Sequence, residues 1–241
     1  LYITCEMAEE KIAERIDANL LNVNIRDIAE LPEVLYSSKV NEISRKTQGK
    51  LIIKEYPTAS AHAGHFKALL SDLSLKKDFK PDIIFIDYLN ICASARYKGA
   101  IVNSYTYVKA IAEELRGLAV EHNLPIVSAT QTTRSGFGSS DPDLTDTSES
   151  FGLPATADLM FALVSNEELE QQGRIMVKQL KNRYNDPTSS RKFMVGIDRS
   201  KMRLYDVAED SNVLNQTEDD ENLPQFAETQ NRLSKFAEWN V

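Results

Sequence analysis

DIIFID, residues 82–87, sets four apolar side chains in a row between two aspartates, with Pro81 bounding the run upstream. A run apolar on both strand faces reads as a buried parallel strand, not as an edge strand with one wet face. Downstream, Tyr105–His122 repeats apolar residues at helical spacing through Val108, Ile111, Ala112, Leu115 and Ala119, and Asn123 closes it. LPIVSATQ, residues 124–131, is a second buried strand, which ends on Gln131. Upstream, His62–Leu73 carries Phe66, Leu69, Leu70 and Leu73 on one helical face, and Leu51–Tyr56 is a β-rich run stopped by Pro57. Leu31–Ser44 is a weaker helix, while Glu9–Leu21 has Ile12, Ala13, Ile16, Leu20 and Leu21 in period. YITC, residues 2–5, is a strand that runs straight into that first helix. Strands alternating with helices of this length predict an α/β fold, a mostly parallel sheet with crossover helices.

The pattern changes after Gln131. Residues 132–150, TTRSGFGSSDPDLTDTSES, are almost free of aliphatic side chains and long for a connection, the mark of a functional or disordered loop. Three β-like runs follow at Leu159–Val164, Arg174–Leu180 and Lys192–Ile197. Their close spacing predicts antiparallel strands added to the sheet edge, with Met202–Val207 as a further short strand. Residues 1–207 thus form the folded domain. Residues 208–241 form an acidic tail, polar and disordered over Glu209–Asn222, with a short amphipathic helix near Phe226–Trp239. No internal repeat occurs.

Composition narrows the function classes. The chain has 241 residues, of which 42% are hydrophobic, enough for a core of ordinary size. No apolar stretch approaches the roughly 18 residues of a membrane span, and LYITCEMAEE lacks the basic start of a signal peptide. Two cysteines, Cys5 and Cys92, make neither a disulfide framework nor a zinc site and fit a reducing cytoplasm. Net charge is 28 − 36 = −8, which argues against a simple basic nucleic-acid binder. The distribution is uneven, however. Glu209–Val241 holds eight acidic residues against Arg232 and Lys235, whereas Arg174–Arg203 holds nine Lys/Arg against Asp186 and Asp198. A locally basic surface on an acidic protein is compatible with these counts.

Several polar residues sit where chemistry would be expected. Asp87 ends an apolar strand at the carboxyl edge of the sheet, where ligands bind in open α/β folds. A carboxylate there holds magnesium through water in nucleotide sites, or else caps the next helix. Glu6 leaves the same edge after YITC, either to deprotonate a water or to favour the start of a helix. Gln131 adds an amide that can both donate and accept. Lys181 and Arg183 share one face of a strand end, either as a phosphoryl-binding pair or as a solvated basic turn. His62 and His65 read as an exposed helix start rather than a metal pair. No G-x-x-x-x-G-K-[ST] phosphate loop occurs anywhere in the 241 residues.

Taken in order, CEM (5–7), IIFIDYLNI (83–91), IVSATQTTR (126–134), SESFGLPATADLMFAL (148–163) and KQLKNR (178–183) resemble the RecA-like motor domain of DnaB-type hexameric replicative helicases. The wording is most similar to the T-even-like bacteriophage branch of that family, over roughly residues 1 to 207. The resemblance implies a RecA-like core and a chain that starts after the family's phosphate-loop strand and helix. It further implies ATP and Mg2+ as cofactors, with Glu6 as general base, Asp87 as the magnesium carboxylate and Gln131 as γ-phosphate sensor. Lys181 and Arg183 would reach the neighbouring subunit's ATP, Arg183 as an arginine finger. Arg134, Ser148, Glu149, Phe151 and Gly152 would contact single-stranded DNA phosphates in the central channel. The implied assembly is a homo-hexamer working with a primase and a helicase loader, in the host cytoplasm if the source is a phage. The implied function is ATP-driven translocation that unwinds duplex DNA at the fork, with this fragment inactive without its phosphate loop. A RecA-type recombinase or mediator shares the sheet, and a non-catalytic interaction module is the third reading. Two stretches depart from the family's usual wording. Pro154-Ala155 stands in place of a more acidic run, and Tyr184-Asn185-Asp186-Pro187 in place of a glycine-containing turn.

Overall fold

The computed structural model describes residues 1–97, 102–131, 152–186 and 191–207. The expectations for Arg134, Ser148, Glu149, Phe151 and the 208–241 tail fall outside those residues. Four short strands, β1 (Tyr2–Thr4), β2 (Ile53–Glu55), β3 (Ile84–Asp87) and β4 (Ile126–Ser128), form a sheet in the order β2-β1-β3-β4. Every pairing in it is parallel, with Thr4 opposite Asp87 and Ile86 opposite Ser128. The connecting helices are α1 (Glu9–Leu21), α2 (Glu33–Lys46), α3 (Ala63–Lys77) and α4 (Ser104–His122). No described helix is long and apolar enough to cross a membrane.

The helices start and stop where side chains satisfy free backbone groups. The Asn103 side chain accepts from Thr106 N at the start of α4, and Asn123 closes α4 in the left-handed conformation at φ 49°. At α3 the two histidines cap reciprocally. His62 Nδ1 accepts from Gly64 N at 3.0 Å, and His65 Nδ1 accepts from His62 N at 3.2 Å. A side chain at Gly64 would meet the His62 ring at 2.8 Å, so the close approach of that imidazole requires glycine. The pair is a cap, in keeping with an exposed helix start.

Strand alternation turns Ile3, Ile84 and Ile86 to one face, where they are at most 2% exposed under α3 and α4. Phe66 of α3 lies at the centre of that core, fully buried, with its ring edge-on to Tyr56 at 5.6 Å between centroids. Phe66→Ala is expected to destabilise the domain by about 3–5 kcal/mol, the usual cost of losing a large core aromatic. A denaturant titration checks this, and an unchanged midpoint would mean the core is misassigned. The opposite face is less covered. Phe85 is 38% and Val127 47% exposed, because no described helix lies over them. The expectation of a strand buried on both faces therefore holds for one face of DIIFID only.

The C-terminal strands also depart from expectation. β5 (Leu159–Val164), β6 (Arg174–Asn182), β7 (Lys192–Asp198) and β8 (Arg203–Asp206) are antiparallel neighbours in that order. Among the described residues they form their own sheet and are not added to the parallel one. Among the described residues β4 pairs only with β3 and β5 only with β6, so each of these strands has one edge with no described partner. A short helix, α5 (Gly152–Thr156), packs on α4 and delivers Leu153 to the main core, and Met160 of β5 packs against the same core. The α5 turn and the five-residue α6 (Glu167–Gln171) are too short to show a period in the sequence.

Candidate functional site

Parallel strands end on one edge, so β1, β3 and β4 carry the residues that follow them to the same side of the sheet. Glu6 lies two residues beyond β1, in a turn tied down by buried Thr4. Thr4 Oγ1 accepts from Met7 N at 3.0 Å and donates to Met7 O at 2.8 Å. From the neighbouring loop, Thr58 Oγ1 donates to Cys5 O at 2.7 Å. Glu6 itself is exposed, and no hydrogen bond or ion pair from the described residues engages its carboxylate. It is not part of the first turn of α1, whose acidic residues there are Glu9 and Glu10.

Asp87 is the last residue of β3 and caps no helix; the 3-10 turn Leu89–Ile91 that follows has no side-chain cap. Its Oδ2 accepts from the Tyr2 hydroxyl at 2.8 Å. Burial, reinforced by this hydrogen bond to Asp87, pushes the Tyr2 phenol up, so it stays protonated and fixes the carboxylate as a donor. Oδ1 is left for another partner. Gln131 does not end β4, which stops at Ser128. Ser128 Oγ donates to Ile86 O at 2.8 Å, and Leu89 N to Ala129 O at 3.2 Å, so the chain beyond β4 still runs beside β3. Gln131 Nε2 then donates to the Tyr88 hydroxyl at 3.2 Å, one residue from Asp87. The three residues thus follow neighbouring parallel strands on one sheet edge, with Gln131 bonded to Tyr88, the residue after Asp87. Tyr2, Thr58 and Tyr88 were not legible as site residues, because their bonds join distant segments; Thr4 bonds locally to Met7, in a turn that no sequence pattern marks.

Lys181 and Arg183 form a second group, on the antiparallel sheet. Lys181 lies within β6 and Arg183 one residue past its end, and both reach the C-terminal end of α5, Arg183 also Asp158 just beyond it. Lys181 Nζ donates to Pro154 O at 2.5 Å and Ala155 O at 3.4 Å. One terminal nitrogen of Arg183 donates to Ala155 O at 3.1 Å and the other pairs with Asp158 Oδ1. Arg116 of α4 donates to Asp158 Oδ2 at 2.9 Å and to Thr156 O at 2.8 Å. The predicted shared face of Lys181 and Arg183 is therefore present, with Ala155 O common to both. Burial and the adjacent Arg183 charge push the Lys181 ammonium down. Burial works to raise Asp158, but hydrogen bonding from Arg116 and the charges of Arg116 and Arg183 outweigh it and hold the carboxyl below its usual range. The pair's support for the fold, about 1 kcal/mol or less at this exposure, is thus full at neutral pH. It is lost only as pH falls through that lowered value. No hydrogen bond or ion pair among the described residues links this group to the Glu6–Asp87–Gln131 edge. Gly152, expected in a DNA loop, is the buried first residue of α5.

Behind the edge, Cys5 and Cys92 are buried as free thiols, their sulfurs in a hydrogen-bond contact at 4.0 Å with no disulfide between them. Among the described residues no three His, Cys, Asp or Glu side chains converge as a metal cage.

Comparison with known proteins agrees with this layout. Residues 1–200 match the family of DnaB-like helicase C-terminal domains. The chain is 45% identical over 214 residues to the DnaB-like replicative helicase of Enterobacteria phage T4, covering 88% of this chain and 45% of that protein. It is 28% identical over 163 residues to the replicative DNA helicase DnaB of Helicobacter pylori, covering 66% of this chain and 32% of that protein. The chain therefore spans less than half the length of these curated relatives. Among solved structures, an ATPase domain superposes with TM-score 0.69 at 18% identity, covering 86% of this chain and 74% of that one. A DnaB-like replicative helicase studied with its primase interactions also superposes at TM-score 0.69 and 18% identity, covering 86% and 50%. These two likenesses establish the RecA-like helicase ATPase fold.

Proposed function

The chain belongs to the DnaB-like helicase C-terminal domain family, and on that premise we propose that it is the motor portion of an ATP-dependent replicative DNA helicase. In this reading the complete protein is a homo-hexamer that moves along single-stranded DNA and unwinds the fork, with a primase and a loader as partners in the cytoplasm, the host's if the source is a phage. The observation that supports it most is the common sheet edge of Glu6, Asp87 and Gln131. The exposed Glu6 carboxylate, on a turn braced by Thr4 and Thr58, takes the proton of the attacking water. Asp87, one oxygen held by Tyr2, offers the other to a magnesium-bound water. Mg2+ keeps its waters and leans on one or two carboxylates and the nucleotide phosphates, a demand that the Asp87 carboxylate fits. Mg2+–ATP, when bound, supplies the phosphoryl group whose transfer drives the motor. Gln131 senses that phosphoryl group and passes its state to the loop that follows. Lys181 and Arg183 act on the ATP of the next subunit.

A phosphate loop on a preceding strand and helix completes the site in this account. The open edges of β4 and β5 and the uncovered Phe85–Val127 face support such an addition. The 241-residue chain by itself is accordingly expected to bind ATP weakly, since backbone amides and a lysine of that loop give most of the phosphate grip. Calorimetry with Mg2+–ATP should give no saturable heat in the micromolar range; a micromolar Kd would contradict the account. For the complete protein, the test is displacement of one strand of a forked duplex. ATP-dependent unwinding is the expected result. Strand exchange between homologous DNAs without unwinding would move the chain to the recombinase reading, and no ATP-dependent action on DNA would leave an interaction module.

A further inference from the structure

We propose that Asp158 is a positioning residue for Arg183, a strut that aims the guanidinium at the neighbouring subunit's nucleotide. The inference rests on the reading of Arg183 as a residue acting between subunits and adds the group that orients it.

The backbone sets the two residues opposite each other. β5 and β6 pair with Leu159 across from Asn182, and one step further out Arg183 N donates to Asp158 O at 2.9 Å. Their side chains leave adjacent strands at the same end of the sheet. Both terminal nitrogens of Arg183 are then held, one by the Asp158 carboxylate and the other by Ala155 O. An unheld arginine at a strand end samples many rotamers, whereas a planar fork gripped on both terminal nitrogens keeps one direction. Further N–H groups of the guanidinium stay available for a phosphoryl oxygen. Asp158 is in turn braced from the other side by Arg116 of α4, which also grips Thr156 O. Three cations, Arg116, Lys181 and Arg183, converge on the 154–158 turn, and Asp158 is the carboxylate that joins two of them. Without it, two guanidiniums and an ammonium would face one another across backbone carbonyls alone, and Arg183 would swing away.

A bridge that only stabilises the fold and a strut for a reacting group differ in what their removal does. Loss of the strut acts on the chemical step and leaves substrate binding alone, and small misplacements of a reacting group cost about 10²-fold in rate. In the complete protein, Asp158→Ala is expected to lower DNA-stimulated kcat about 10²-fold while KM for ATP stays within a few-fold. Asp158→Asn keeps one oxygen to accept from Arg183 and should recover part of that loss. The double variant Asp158→Ala/Arg183→Ala should be no slower than Arg183→Ala, because the strut has nothing left to aim. A kcat for Asp158→Ala at the wild-type level, with Arg183→Ala inactive, would overturn the strut and leave the role of Arg183 standing. Wild-type activity in Arg183→Ala would instead overturn the underlying reading. If Asp158→Ala does not fold, as read by circular dichroism, Asp158→Asn decides. A kcat deficit smaller than that of Arg183→Ala, and absent in the Arg183→Ala background, supports the strut. No deficit, or an equal deficit in both backgrounds, refutes it.

Discussion

In the complete protein, Arg183→Ala is expected to abolish DNA-stimulated ATP hydrolysis and to leave nucleotide binding within a few-fold. The size of the effect separates two readings of the same contact. As a surface ion pair with Asp158, with side chains 41% and 32% exposed, Arg183 contributes little, about 1 kcal/mol or less of stability. As a guanidinium supplied to a neighbour's phosphoryl group it is worth about 10³–10⁵ in rate. Its position just past the end of β6, with no described hydrogen bond or ion pair to Glu6, Asp87 or Gln131, favours action on another subunit. ATPase assays with and without single-stranded DNA, together with binding of a fluorescent nucleotide, check both halves. Near-wild-type hydrolysis would make Arg183 a solvated basic residue and remove the proposed subunit contact.

Glu6→Gln is expected to be comparably severe for the opposite reason, acting within its own subunit. Removing a positioned general base costs about 10²–10⁴ in rate. The amide keeps the size and polarity of the side chain. The exposed Glu6 carboxylate is engaged by no described residue, so nothing in the fold depends on its charge. The variant should therefore melt like the wild type, bind ATP and single-stranded DNA, and fail to hydrolyse. Rapid-quench measurement of the hydrolytic step is the direct check. A wild-type step would move the base elsewhere on the edge.

Much of this architecture is legible in the chain before any coordinates. The period of Glu9–Leu21 coincides with α1, and Asn123 does end α4. Asp87 and Glu6 stand out because a carboxylate directly after an apolar strand is conspicuous. What periodicity misses is what long-range hydrogen bonds decide. Nothing local marks Tyr2 as the partner of Asp87, 85 residues away, or Thr58 as the brace for the Glu6 turn, 53 residues away. Asp158 is similarly silent, since its meaning comes only from Arg116 and Arg183 meeting it in space. β4 is shorter than its apolar run because one of its edges pairs with no described strand, which leaves Gln131 in the loop beyond it.

The central claim is that each hydrolytic site takes its base from one subunit and its guanidinium from the next. Mixing Glu6→Gln with Arg183→Ala complete proteins, each inactive alone, tests it directly. Random assembly at equal amounts leaves about a quarter of the interfaces with both groups intact, so the mixture should regain measurable DNA-stimulated hydrolysis. If the mixture stays as inactive as its components while forming mixed rings, the two residues do not share sites between subunits and the account is wrong.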